Sequence, residues 1–464
     1  MTFAQELAKR IYAMNYEQFP SEAIKWAKIG ILDTVGVTIL GSRDDLTRIL
    51  EKITAADHAT GPCLIFGFDR RTSASEASMI NGTASHALDF DDCCNSMGGH
   101  PSVPILPGLF ALADECGASG KDFITAYITG FETECRISLG VNMYQYIKGW
   151  HPTVTLGVFG LVAAAGKLLR LTEEQIATAL SIAASMSSGI KTNMGSMTKP
   201  LHVGLCGRNG LLAAKLARDG FTANLKIFEH DQGYFNLFIG EGNYDISKIL
   251  PDWGSPLHIV DPGIAIKQYP CCASTHPAAD AMIALAQEYD LKPGNVARID
   301  SFTHWRRLKH TNRPEVSTSF QGKFSVQYVV ARALVSRCVT ASHFEGNAFL
   351  DSNVQTLMRL VHVDPYTVEQ FPADNHYAAE VRVTLTDGTV LTKKVDQPAG
   401  RTSANALTPE QLKEKFDHCV KGIVHEANIE SLYSAIQSLE KLTDVRTIAD
   451  LISMRKATSV SAVA

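Results

Sequence analysis

Apolar residues recur at helical spacing from the N-terminus to about residue 265, give way to two-residue alternation, and return to helical spacing near the end. This switch of period constrains the fold more than any motif does. A 3.6-residue repeat and a 2-residue repeat bury different faces, so they cannot describe one element. Ile24, Ala27, Ile31, Leu32 and Val35 mark a helix between Pro20 and Gly41, and Leu106–Ala118 and Phe123–Leu139 read the same way. Thr172 followed by Gln175 makes a capping box ahead of Ile176 and Leu180. Another apolar helix runs from Leu201 to Ala217, with Gly220 placed to end it. Beyond it, Ile264–Ile266 and Val296–Phe302 read as strands, and Ala278–Tyr289 and Phe324–Val335 as helices. Glu380–Leu385 alternates, Asp387-Gly388 turns, and Thr389–Val395 returns, which is a hairpin signature. Gln411–Val420 and Ile429–Leu442 are helical again.

The pattern predicts a mainly α protein: a large all-α helical domain built from both chain ends, 1–265 and 405–464, with a smaller α+β lid domain, 266–404, inserted between them. A chain of 464 residues, 45% hydrophobic, is long enough to bury more than one core. The formal net charge is −5 with Lys and Arg scattered, so neither nucleic acid nor an anionic membrane is an expected partner. No secretory leader is visible, and the most apolar stretch, Thr153–Gly166, falls short of the roughly 20 residues a membrane span needs. The ten cysteines form no CxxC pair. They read as free thiols of a cytoplasmic protein, with neither structural zinc nor an iron–sulfur cluster.

Four segments combine Gly, Pro, His, Lys and Asp in ways a core does not require. The first is His86–Cys94 followed by Gly98-Gly99-His100, with Asp89, Asp91 and Asp92 close together. Buried carboxylates are costly unless paired, and the expectation is that Asp89 orients or charges His100 as a proton shuttle. An Asp/His mix also suits a divalent ion, or merely an acidic surface loop, and no metal is assigned. The second is Gly149-Trp150-His151-Pro152, where a helix start would keep His151 neutral and basic, or His151 simply caps that helix. The third is Thr198-Lys199-Pro200-Leu201-His202, with Lys199 just ahead of an apolar helix. A cation there suggests a tethered anion such as a substrate carboxylate, or a side chain reaching solvent. The fourth is Lys267–His276 at the boundary between the domains, where Lys267 is expected to clamp a second carboxylate. P-loop, dinucleotide-binding and serine-hydrolase motifs are absent.

In this order the segments resemble the MmgE/PrpD family, from Leu32-Asp33-Thr34-Val35-Gly36 through His86–Asp92 and Lys199–Gly204 to Phe324-Ser325-Val326-Gln327-Tyr328. The resemblance implies a helical domain with an α+β lid, a homodimer, no cofactor, and proton abstraction beside a carboxylate of a small di- or tricarboxylate. It makes Asp89, His100, His151, Lys199 and Tyr328 the expected catalytic residues. Lys267, Lys199, Cys93 and Tyr269 are then the expected substrate-binding residues. The family's decarboxylase branch continues its acidic run as Asp-Asp-Thr-Trp, whereas Cys93-Cys94-Asn95 stands here. The dehydratase branch has an Asp-His-Cys run where Lys323–Val326 stands. Because the chain departs from both lyase patterns, epimerisation of an iminodisuccinate-like dicarboxylate is the first expectation. A lyase acting on cis-aconitate or 2-methylcitrate is the second, and a catalytically idle polycarboxylate-binding protein the third.

Overall fold

The computed structural model describes residues 1–141 and 144–453, and its architecture is mainly helical with two small sheets. The helix expected between Pro20 and Gly41 spans Ser21–Gly41, and its interior side chains from Ala23 to Gly41 are largely buried. It packs with Ala74–Ser85, Gly120–Val141 and, from the far end of the chain, Pro409–Val420. Thr172 and Gln175 form the expected capping box at the head of Glu173–Met186. The apolar stretch after His151 divides into Pro152–Thr155 and Gly157–Leu168, both buried. Among the described residues no helix is long and apolar enough to cross a membrane.

Two main hydrophobic cores follow the change of period. The larger draws side chains from Phe3 to Ile266 and again from Leu407 to Ile452, so the two chain ends share it. The smaller runs from Tyr269 to Val383 and fills the space between the helices His276–Glu288 and Val326–Ser336 and a four-stranded sheet. The strand order is Val361–Pro365, Val296–Thr303, Ala379–Leu385, Val390–Val395; the first pair is parallel and the others antiparallel. The expected hairpin is its outer half.

Three details differ from the expectations. Ile264–Ile266 forms no strand; Ala265 makes a single antiparallel bridge to Cys93. Val361–Pro365 is an unexpected strand, mostly solvent-facing, so its alternation carries little apolar signal. The helical region holds a two-residue hairpin, Cys63–Leu64 with Arg71–Thr72. Residues 454–464 of the expected C-terminal segment lie outside the described residues.

Candidate active site

Two touching helices form the floor of the site. Ala74–Ser85 and Thr198–Arg218 run antiparallel, with Gly82 against Gly204 and Ser78 against Gly207. A Cβ on Gly204 would lie 2.2 Å from the Met79 carbonyl oxygen, so only glycine permits this approach. The end of one helix thereby meets the start of the other. His86 caps the first, and Lys199 lies in the first turn of the second rather than ahead of it. After His86 the chain turns at Asp89, whose φ of +52° is left-handed, a conformation Asp tolerates better than most residues. Three ammonium groups from distant segments then hold this turn by its carbonyls. Lys323 donates to Ala87 O at 3.0 Å, Lys267 to Asp89 O at 2.6 Å and Lys415 to Phe90 O at 2.9 Å.

The buried charges sort by partner. Burial alone would raise the Asp89 carboxyl, but the ammoniums of Lys199 and Lys267, the latter 3.1 Å away, outweigh it and hold Asp89 well below the usual carboxylate range. Asp91 is lowered in the same way by two imidazoles, His86 Nδ1 at 2.8 Å and His100 Nδ1 at 3.0 Å on one oxygen. A carboxylate only accepts, so both Nδ1 atoms carry protons. Burial would lower His100, but Asp91 and Cys93 raise it to about 10, making it an imidazolium at neutral pH. Burial and the nearby Lys199 take His86 the other way, to about 3 despite Asp91, so it is neutral with Nε2 bare. His151 is also held neutral, first by burial and then by the neighbouring His86 and Lys199. The Nε2 atoms of His86 and His151 are both buried without a hydrogen-bond partner, and the two rings stack at 5.6 Å. Asp92 stays out of this chemistry: burial raises its carboxyl well above the usual range, and Ser102 donates to it.

Chemically, the cluster offers one charged proton donor, neutral imidazoles with bare nitrogens, and two ammoniums to hold carboxylates. His86, Asp89, Asp91 and His100 place ligand atoms within 4.8 Å of one another, a spacing a metal ion could use. In the geometry present, those donors face other partners: Lys199 and Lys267 on Asp89, and both imidazoles on Asp91. A divalent ion would have to displace the two ammoniums.

The structure brings together Asp89, His100, His151, Lys199, Lys267 and Cys93, whose sulfur lies 3.8 Å from His100 Nδ1. It changes the pairing: His100 draws its charge from Asp91, and its Nε2 is 3.9 Å from Asp89. Two expected residues point elsewhere. Tyr328 is buried in the smaller core, where its hydroxyl donates to His343 O and accepts from Arg332 Nε at 3.1 Å. Tyr269 donates to Asp280 at 2.5 Å, because the chain bends at 268–271 and the alternation from Lys267 is lost. Sequence reasoning did not single out His86, Asp91 or the fully buried Lys323, whose ammonium burial lowers. The first two lie in the run it flagged, but spacing does not separate Asp91 from Asp92.

Comparison with known proteins adds an independent finding. The MmgE/PrpD N-terminal domain profile matches residues 5–247, and the MmgE/PrpD C-terminal domain profile matches residues 269–441. The chain is similar to the cis-aconitate decarboxylase of Homo sapiens, 28% identical over 467 residues covering 97% of this chain and 94% of that one. It is similar to the cis-aconitate decarboxylase of Aspergillus terreus, 28% identical over 462 residues covering 94% and 93%. It is also similar to the 2-methylcitrate dehydratase of Cupriavidus necator, 26% identical over 441 residues covering 87% of each.

Proposed function

The chain belongs to the MmgE/PrpD family, and from that premise we propose that it is a lyase acting on a small polycarboxylate through its own acid–base groups, with decarboxylation of a cis-aconitate-like acid as its reaction. The observation that carries this reading is the split of the buried histidines: an imidazolium at His100 beside neutral rings at His86 and His151. Similarity to two decarboxylases over nearly the full length supports the lyase above the epimerase expected from sequence.

Cis-aconitate holds a carboxylate on a CH₂ beside a carbon–carbon double bond. Carbon dioxide leaves when the CH₂–carboxylate bond breaks. Its electron pair becomes a new double bond, and the old one takes a proton at its far carbon. That step needs an acid in place, which is the role assigned to His100, whose Nε2 is 3.9 Å from Asp89, too far for a hydrogen bond, so that its hydrogen is free to transfer. The remaining carboxylates need cations. Lys199 and Lys267 each have a hydrogen left after bonding Asp89, and fixed positive groups there stabilise the charge that builds up as the bond breaks. The proton given up by His100 leaves in the product, so His100 is recharged by a proton from solvent, and the neutral His151 and His86, with bare Nε2 atoms, are placed to relay it.

Proton NMR of the EDTA-treated protein in D₂O tests this, with cis-aconitate, citrate, 2-methylcitrate and iminodisuccinate as candidate substrates. Decarboxylation places one deuterium on the former alkene carbon and gives a new terminal alkene. Interconverting stereoisomers with an intact skeleton would replace the lyase reading with epimerisation.

A further inference from the structure

A second set of cations lies in a crevice beside the buried cluster. Ser274, Thr303, Arg307, His376, Tyr377 and Arg401 line it. Among the described residues, none of the side chains lining it is a carboxylate. Both guanidiniums lie over the Tyr377 ring, at 5.2 Å and 4.3 Å from its centroid, and spend few donors on the protein. Arg307 donates to His376 O at 3.3 Å. Arg401 donates to Asn95, while its Nε is buried with no partner. A buried donor without an acceptor is costly, so such an arrangement persists where a ligand supplies the acceptor.

The crevice joins the cluster through the chain itself. Asn95 follows Cys93 by two residues, and Arg401 helps lower the Cys93 thiol. Ser274, also in the lining, bonds His310 at 3.2 Å, and His310 feels both Arg307 and Asp89. Charge accounting shows what the crevice would add. Within the cluster, Lys199, Lys267 and His100 are opposed by Asp89 and Asp91, which leaves too little positive charge to neutralise a tricarboxylate.

We propose that Arg307 and Arg401 form a separate carboxylate subsite, which binds the remote carboxylate of a tricarboxylate while the lysine pair holds the end that reacts. This deepens the proposed function and rests on its polycarboxylate reading. Planar guanidiniums suit a carboxylate because two parallel N–H groups match its two oxygens.

The test is calorimetric titration with tricarballylate, a saturated tricarboxylate with no double bond or hydroxyl to react, and with succinate. The proteins are the wild type, Arg307→Gln, Arg401→Gln, Arg401→Lys and the exposed control Arg359→Gln, each checked by circular dichroism. Each Arg→Gln change is expected to weaken tricarballylate at least about tenfold and succinate less than about threefold, the loss of one charge-assisted pair. Arg401→Lys should recover part of the loss, and Arg359→Gln should do nothing. Unchanged tricarballylate affinity, or equal loss for both acids, overturns the subsite and leaves the proposed function standing. A wild type that binds neither acid overturns both.

Discussion

Two sets of cations in this protein are in opposite states, one within the buried cluster and one lining the crevice beside it. Inside, Lys199 and Lys267 meet a carboxylate, and His100 meets another. Outside, Arg307 and Arg401 meet a carbonyl, an amide and an aromatic ring. The inner charges are held by one another and therefore keep fixed positions and fixed protonation. The outer ones are left with capacity to spare. Fixed inner charges suit a proton donor that must be held ready, and the spare donors of the outer pair suit an arriving anion.

The largest effect is expected at the inner carboxylate. Asp89→Asn leaves two buried ammoniums facing an amide, and removing one partner of a buried pair costs about 3–5 kcal/mol. Denaturant unfolding should show that loss and turnover should vanish; a variant as stable as wild type would mean the pairing is not what holds the turn. His100→Gln comes next and should lower kcat about 10²–10⁴-fold with little change in substrate affinity, the range for one acid–base group. If affinity falls instead, His100 binds rather than protonates.

The pH response sharpens the comparison further. His100 is raised from its ordinary 6.5 to about 10. Its charge therefore contributes stability that is full below about pH 6.5 and lost as pH rises through about 10. Asp89 and Asp91 are depressed, so their contribution is present above about pH 4 and lost as pH falls through their folded values. The alkaline limb of kcat/KM should sit near pH 10 and move towards 6.5 in Asp91→Asn. A limb that stays put assigns the acid to another group. The smallest effect is expected at Tyr328. Tyr328→Phe should change turnover less than about threefold and cost about 1 kcal/mol, since only the bonds to His343 and Arg332 are lost.

Several elements are legible in the sequence because period follows burial: the Ser21–Gly41 helix and the hairpin Ala379–Leu385 with Val390–Val395 are both visible as patterns. His100, His151 and Lys199 are legible because each stands beside Gly or Pro, and Asp89 and Lys267 because each breaks an apolar run, Leu88 to Phe90 and Ile264 to Ile266. What cannot be read is direction. Asp91 and Asp92 are neighbours of one residue type, yet one meets two imidazoles and the other a serine, since consecutive side chains face apart. Tyr328 looks suitable by type, but its helix turns it into the smaller core. Lys323 is silent because its ammonium is satisfied by the Ala87 carbonyl, a backbone atom that leaves no trace in sequence.

The turn at residues 87–90 takes its three ammonium supports from Lys267, Lys323 and Lys415, all far downstream of it. During synthesis the helices that carry His86 and Lys199 leave the ribosome long before Lys415 does. The Asp89 turn between them then waits in a half-built protein for a support carried by one of the last helices. A chain cut short before Lys415 would lack one of the three ammoniums that hold this turn, together with part of the larger core.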